Sequence, residues 1–256
     1  MNQYEAISYR RSVRKFDFTP VPEALMKKVN RFVQELSPWN READWKLEIL
    51  DNINKRAPIG GFGVVHAPYY LVFYGERVKE GLENAGYMLE QMVLYLTTKG
   101  LGCCYQGCAR VLGEKRTDSL KALMVVAFGY PARRLLRDGA VAKRHPLKEL
   151  CIFKEEAGEE LKSVLYAARL APSAFNSQPW RFVVYKNKIH IFVRKKSLLE
   201  KLGMSMREIN IGIVLCHMQL AAEEQWLFAT FAPEDKIREL NMKKMDYITT
   251  FSLKTD

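Results

Sequence analysis

Ala171-Pro172-Ser173-Ala174-Phe175-Asn176-Ser177-Gln178-Pro179-Trp180 is the stretch from which the rest of the chain is read. It follows an apolar-periodic segment, Leu161 to Leu170, and precedes a strand-like run, Arg181 to Tyr185. It therefore reads as a helix-to-strand connection with proline at both ends. Proline fixes φ, lacks an N–H and pushes its predecessor towards extended geometry. Between the prolines, Ser173, Asn176, Ser177 and Gln178 donate and accept hydrogen bonds without carrying net charge. Such a loop suits holding a neutral planar ligand by its edge. It equally suits capping its own backbone groups, and taken by itself the stretch favours that second reading.

Other stretches change the balance. Near the N-terminus stands Tyr9-Arg-Arg-Ser-Val-Arg-Lys-Phe16; an apolar helix ends in Lys99-Gly-Leu-Gly102; an apolar run closes with Val126-Ala-Phe-Gly-Tyr-Pro131. Together with the Ala171–Trp180 loop, these resemble the FMN-dependent nitroreductase family, from Tyr4 to the neighbourhood of Trp226. The resemblance implies an α+β fold, mainly antiparallel sheet with helices packed around it, and a flavin at the centre of the chemistry. Arg10, Arg11 and Ser12 would meet the cofactor phosphate, whose charge and geometry suit guanidinium forks and a hydroxyl. Arg14 resembles the family's cation near the ribityl chain and pyrimidine, and Arg144 its second phosphate ligand. The segment Cys104-Tyr105-Gln106-Gly107 would bring backbone N–H groups of Gln106 and Gly107 to flavin N5; its cysteines depart from the family pattern. Ser173 and Asn176 would reach the ribityl chain or ring, while Gln178 fixes the loop and Trp180 sits in the core. No catalytic side chain is needed: NADH or NADPH would deliver hydride to the flavin, and a small acceptor, nitro-aromatic or quinone-like, would then take it.

Composition sets the outer limits. Hydrophobic residues make up 48% of the 256, enough for a real core. Net charge of +11 favours anionic partners such as a phosphorylated cofactor. Nucleic-acid binding is disfavoured, because the aromatics fall in strand and helix patterns instead of interleaving with the basic runs. Five cysteines without regular spacing argue against a disulfide framework, and Cys103, Cys104 and Cys108 lack the partners of a metal site. Free thiols, no basic-then-apolar leader and no run of membrane-spanning length lead to the expectation of a cytoplasmic protein with no membrane contact. His190 in a strand and His217 in a helix are read as structural.

The order of elements repeats. Helices are expected after Pro22, over Glu83–Lys99, from Lys162 and over Ile209–Glu224; strands over Trp45–Leu50, Ala67–Tyr74, Leu120–Phe128, Trp180–Tyr185 and Ile189–Val193; Ile59–Gly63 reads as a Gly-rich loop. Asn84 and Asn210, Gly86 and Gly212, and Leu101 and Leu227 share an offset of 126, while Leu36-Ser-Pro38 and Leu170-Ala-Pro172 share one of 134. Two halves are expected, 1–150 and 151–256, arisen by internal duplication. The first keeps Arg10–Arg14 and Gly100-Leu-Gly102; the second keeps the Pro loop, and Trp226-Leu-Phe228 replaces Gly-Leu-Gly. Nitroreductase-like enzymes are usually homodimers with site parts from both subunits. One complete set here implies a fused pseudo-dimer with one FMN per chain, acting as a monomer or weak homodimer. Asn54–Val65 and Ser197–Arg207 are candidate lids, and Asp235–Asp256 carries no assignable pattern. The alternatives are an enzyme of the same fold on a specific metabolite and a flavin-binding protein without turnover.

Overall fold

The computed structural model describes residues 1–113, 119–133, 136, 139–195, 206–238 and 244–253. The described chain forms two compact units, Met1–Val141 and Ala142–Asp256. The expected boundary at 150 thus gives way to one at 141. The intervening segment joins the second unit because Arg144 and His145 are hydrogen-bonded to residues 170–178.

In the first unit, α1 (Gln3–Tyr9) opens with a capping box between Asn2 and Glu5. α2 (Glu23–Gln34) follows Pro22, which stands just before the first turn and lacks the N–H that would go unpaired there. The strands β1 (Trp45–Asp51), β3 (Tyr69–Gly75), β4 (Gly102–Tyr105) and β6 (Lys121–Gly129) form an antiparallel sheet of order β1-β3-β6-β4. Two short strands, β2 (Ile59–Gly61) and β5 (Ala109–Val111), pair separately. On one face of the main sheet Tyr70, Val72, Val125 and Ala127 pack with Val13, Phe16 and Ala67. Strand alternation turns Leu71 and Phe73 to the other face, and α3 (Lys79–Thr98) packs against β3, β4 and β6. Its Met88, Leu89, Met92, Val93, Leu94 and Leu96 are fully buried. The Gly-rich stretch at Ile59 is therefore strand, not loop: a side chain at Gly61 would strike the Cys108 carbonyl, so glycine is what allows β2 and β5 to meet.

The second unit contains α4 (Leu147–Leu150), β7 (Cys151–Phe153), α5 (Glu159–Leu170), β8 (Trp180–Val184), β9 (Lys188–Arg194), α6 (Arg207–Glu224), β10 (Ala229–Ala232), α7 (Asp235–Arg238) and β11 (Met245–Leu253). Its sheet has the order β10-β11-β9-β8-β7, antiparallel except for the β7–β8 pair. α6 is apolar on all sides and accordingly buried, and it packs on α5. β11, from the stretch without an assignable pattern, lies inside this sheet. Of the Ser197–Arg207 lid candidate, residues 197–205 lie outside the described residues, as do Arg134, Lys196 and Lys243 of the basic runs. Among the described residues no helix is long and apolar enough to cross a membrane.

This is the α+β architecture expected, and the two units solve it alike. Strand order β1-β3-β6-β4 in one matches β8-β9-β11-β10 in the other, with a long helix between the second and third strands in sequence of each set. Asn40 N–H donates to Asn84 Oδ1 at 2.8 Å, and Ala174 N–H to Asn210 Oδ1 at 3.0 Å. The ends of α3 and α6 repeat the same three bonds: Lys99, Gly100 and Leu101 N–H to Leu96 and Thr97 carbonyls, then Gln225, Trp226 and Leu227 N–H to Ala222 and Glu223 carbonyls.

Candidate functional site

The residues expected to meet a cofactor fall into one group in each unit. In the first, α1 ends at Tyr9, and the chain leaves it extended at Arg10 (φ −59°, ψ 137°). It then runs beside β4: Ser12 bridges Cys103, and Val13 N–H donates to the Cys103 carbonyl at 2.9 Å. The Gly-Leu-Gly motif makes this possible. Gly100 (φ 79°) ends α3, Leu101 plugs the core, and Gly102 leaves a notch that Val13 fills. A Cβ on Gly102 would lie 2.5 Å from Val13 Cγ2.

That track sorts the arginines. Arg11 and Arg14 are exposed and Ser12 half-buried. Arg10 is turned inward, 3% exposed, with Nε 3.8 Å from Glu90 Oε1 and without a hydrogen-bond acceptor. Glu90 is fully buried, and its Oε2 accepts the Tyr105 hydroxyl at 2.7 Å. Glu90 escaped the sequence reading, although a carboxylate within the apolar pattern of α3 is its signal. Buried charges need partners, and the charge balance here is local: Arg10 against Glu90.

Gln106 is buried, and its groups are spent. Its N–H donates to the Val125 carbonyl at 2.8 Å, its Oε1 accepts the Val65 N–H at 2.8 Å, and its Nε2 donates to the Cys104 carbonyl at 3.0 Å. Of the two amides expected at a flavin ring, Gly107 carries the one on an exposed residue. Gln106 instead ties the end of the Asn54–Val65 lid candidate to β4. Burial pushes the Cys104 thiol up, with Arg14 and then Arg10 pulling it back in part; burial likewise pushes Cys103 up. Both thiols stay protonated near neutral pH, in keeping with small buried side chains that have no catalytic role.

In the second unit, the Pro loop and the Lys143-Arg144-His145 segment interlock. Arg144 Nη1 donates to Asn176 Oδ1 at 2.7 Å, and Asn176 Nδ2 to the Lys143 carbonyl at 2.9 Å. Arg144 Nε reaches the Ala171 carbonyl at 3.1 Å, a cation at the C-terminal end of α5. His145 N–H donates to Gln178 Oε1 at 2.8 Å, and Gln178 N–H to Ser173 Oγ at 2.9 Å. Phe175, Asn176 and Gln178 all have positive φ (53°, 54° and 42°), a conformation costly for residues with a Cβ. The loop is thus strained and held by its own polar groups. Arg144 and Asn176 are brought together; Ser173 faces the loop's interior backbone; Trp180 is core, 1% exposed. His190 and His217 are structural, bonded to Thr250 Oγ1 (2.7 Å) and the Ala167 carbonyl (2.9 Å). Among the described residues no cluster of three or more His, Cys, Asp or Glu could hold a metal.

A solved structure from Thermotoga maritima MSB8, described as a "putative nitroreductase", matches 99% of this chain and 93% of its own, with a TM-score of 0.66 and 22% identity, which is a likeness of fold. A curated protein of Archaeoglobus fulgidus named "Putative NADH dehydrogenase/NAD(P)H nitroreductase" is 33% identical over 63 residues. That match spans 25% of this chain and 35% of the relative's length. A family profile described as "Putative TM nitroreductase" matches residues 2–222, most of the chain. The chain therefore belongs to that nitroreductase family.

Proposed function

We propose that this protein is an FMN-dependent oxidoreductase that passes reducing equivalents from NADH or NADPH to a small oxidised acceptor, nitro-aromatic or quinone-like. The observation that carries the reading is the extended segment locked against β4, which leaves Arg11, Ser12 and Arg14 unburied on one short run. Guanidinium forks and a hydroxyl on a fixed backbone suit a phosphate dianion. The buried Arg10 Nε without an acceptor fits the same demand, since it holds donor capacity that the protein itself does not use. When bound, the flavin would supply two-electron chemistry at N5, accepting hydride and releasing it to the acceptor. The chain's own part is to bind and orient. Arg10, Arg11, Ser12 and Arg14 hold the phosphate and ribityl end. Gly107 offers its amide beside Cys104. In the second unit, Ser173 and Asn176 of the strained Pro loop, with Arg144 bound to Asn176 from outside it, are the groups proposed to meet a cofactor.

We propose further that the two units descend from one duplicated half and that the chain binds one FMN. The matching strand orders and the twin Asn84 and Asn210 bonds support this. The test is the visible spectrum of the purified full chain, then anaerobic addition of NADH or NADPH. A yellow protein that bleaches, with one flavin per chain, supports both proposals. Two flavins per chain would overturn the single site, and a colourless protein that takes up no added FMN would overturn the cofactor. Flavin that neither nucleotide reduces would indicate binding without turnover.

A further inference from the structure

Glu90 is a fully buried carboxylate on α3. Arg10, 3% exposed, lies where the chain leaves α1, and Tyr105 ends β4. Stability by itself does not call for ions in such a place, since well-packed apolar side chains often serve as well as a buried ion pair. Nor is the pair arranged as a salt bridge built for strength, which brings donor and acceptor to hydrogen-bond distance. Arg10 Nε stands 3.8 Å from Glu90 Oε1 and has no acceptor. The other carboxylate oxygen, Oε2, takes the Tyr105 hydroxyl at 2.7 Å.

Arg10 is thus balanced in charge but not satisfied at Nε. Coulomb attraction falls slowly with distance, so a carboxylate 3.8 Å away still holds a buried guanidinium in place. A hydrogen bond does not survive that gap. The fold keeps a cation inside, with donor capacity that no protein group uses, directly before Arg11 and Ser12. A phosphate meeting that donor also meets the repulsion of Glu90.

We propose that Glu90 is a positioning residue of the cofactor site: a resident counter-anion, tethered by Tyr105, that holds the Arg10 charge inside the fold and competes with the cofactor phosphate for it. This rests on the reading that the Arg10–Arg14 segment meets the FMN phosphate. Glu90 stabilises the buried guanidinium and limits how tightly the phosphate is held, so the flavin stays exchangeable. Two changes then act with opposite signs. Removing the Glu90 charge strengthens the hold on phosphate. Removing the Tyr105 hydroxyl frees the carboxylate to close on Arg10 and weakens that hold. A carboxylate with a structural role alone would alter stability and leave the preference for phosphate as it is.

Riboflavin is the control ligand, since it differs from FMN only in lacking the phosphate. Flavin fluorescence titration of the full chain, stripped of bound flavin, gives both affinities, and their ratio isolates the phosphate. Glu90→Gln should raise the preference for FMN over riboflavin about tenfold, the effect of one charge close by in a partly buried site. FMN should also raise the thermal midpoint of that variant by more than it raises the parent's. In an Arg10→Gln background the same substitution should leave the preference unchanged. Tyr105→Phe keeps both charges and should lower the preference about threefold, the worth of one hydrogen bond; it decides the matter if Glu90→Gln does not fold. An unchanged or lower preference in Glu90→Gln overturns the role of Glu90, and so does an unchanged preference in Tyr105→Phe. A parent that binds FMN no better than riboflavin, or binds neither, overturns the phosphate reading itself and this inference with it.

Discussion

Gly102→Ala tests how the Arg11–Arg14 segment is positioned. The new methyl would fall 2.5 Å from Val13 Cγ2, 2.8 Å from Val13 Cβ and 3.1 Å from Cγ1. No side chain can rotate away from its own Cβ, so the Val13 backbone must move, and with it the Val13 N–H bond to Cys103. Overpacking of this kind costs about 1–3 kcal/mol. At roughly 2–4 °C per kcal/mol for a unit of this size, the thermal midpoint should drop by about 2–12 °C. Val13→Ala alone empties a nearly buried site (6% exposed) and should cost about 2 kcal/mol. The double variant decides the matter. The methyl added at Gly102 takes part of the space left by the two methyls removed from Val13, so the double variant's loss should fall short of the sum by about 1 kcal/mol or more. Thermal denaturation of the four proteins, with FMN titration of each, provides the cycle. Strict additivity, or a Gly102→Ala protein as stable as the parent, would refute the notch. FMN affinity unchanged while stability falls would separate the notch from the ligand site.

Arg11→Ala and Arg14→Ala should each weaken FMN binding about tenfold or more, the worth of a charge-assisted hydrogen bond, read by flavin fluorescence. Thiol titration of the folded chain should find Cys108 alone reactive, since Cys103, Cys104, Cys151 and Cys216 are buried and the Cys151 thiol is pushed up to about 12 by its burial. Burial lowers the His190 pKa from its ordinary 6.5. The unfolded chain therefore binds the proton first, and stability is complete above about pH 6.5 and declines as pH falls below it. His190→Gln should flatten that acid limb in urea titrations at several pH values. Glu90→Gln should destabilise by about 3 kcal/mol, because it leaves Arg10 charged and buried.

Legibility in the sequence followed the range of the interactions. α2, with apolar positions at helical spacing, and β3 and α6, continuous apolar runs of strand and helix length, were readable because their pattern is local. β11 was not: a register shift between Tyr247 and Thr249 breaks its alternation, and its neighbours β9 and β10 lie far away in sequence. α3 begins at Lys79, before the expected Glu83, because its first turn is polar and carries no apolar signal. The Pro loop shows the same limit at the site. Its polar residues could be identified, but not their partners Arg144, His145 and Asn210, which stand 32 to 36 residues away. The self-capping reading favoured for the stretch by itself accounts for the bonds of Gln178 N–H to Ser173 Oγ and of Gln178 Nε2 to the Asn176 carbonyl, whereas the Asn176 side chain and Gln178 Oε1 bond to Lys143, Arg144 and His145. The motif at Arg10 was read with Arg10 and Arg11 as like phosphate ligands and Arg14 as a cation near the ribityl chain. Only the track along β4 separates the buried Arg10 from the exposed Arg11 and Arg14.

The counterpart positions differ between the two units just where the phosphate site is proposed. The offset that pairs Asn84 with Asn210 also pairs Gly100 with Trp226 and Gly102 with Phe228. In the first unit the two glycines turn the chain and open the notch that seats Val13. In the second, the same turn is kept by the same three backbone bonds, yet the notch position carries a phenylalanine. A covering segment packed as Val13 packs against Gly102 would collide with it. Under the proposed duplication, the absence of an Arg-Arg-Ser run from the second half and the presence of Phe228 go together: where no segment needs the notch, nothing penalises filling it. What the penalty would not explain is tryptophan at a left-handed position, since glycine there is favourable whether or not the edge is covered. Tryptophan there is held against backbone preference, so Trp226→Gly should leave the thermal midpoint unchanged or raised, which thermal denaturation checks.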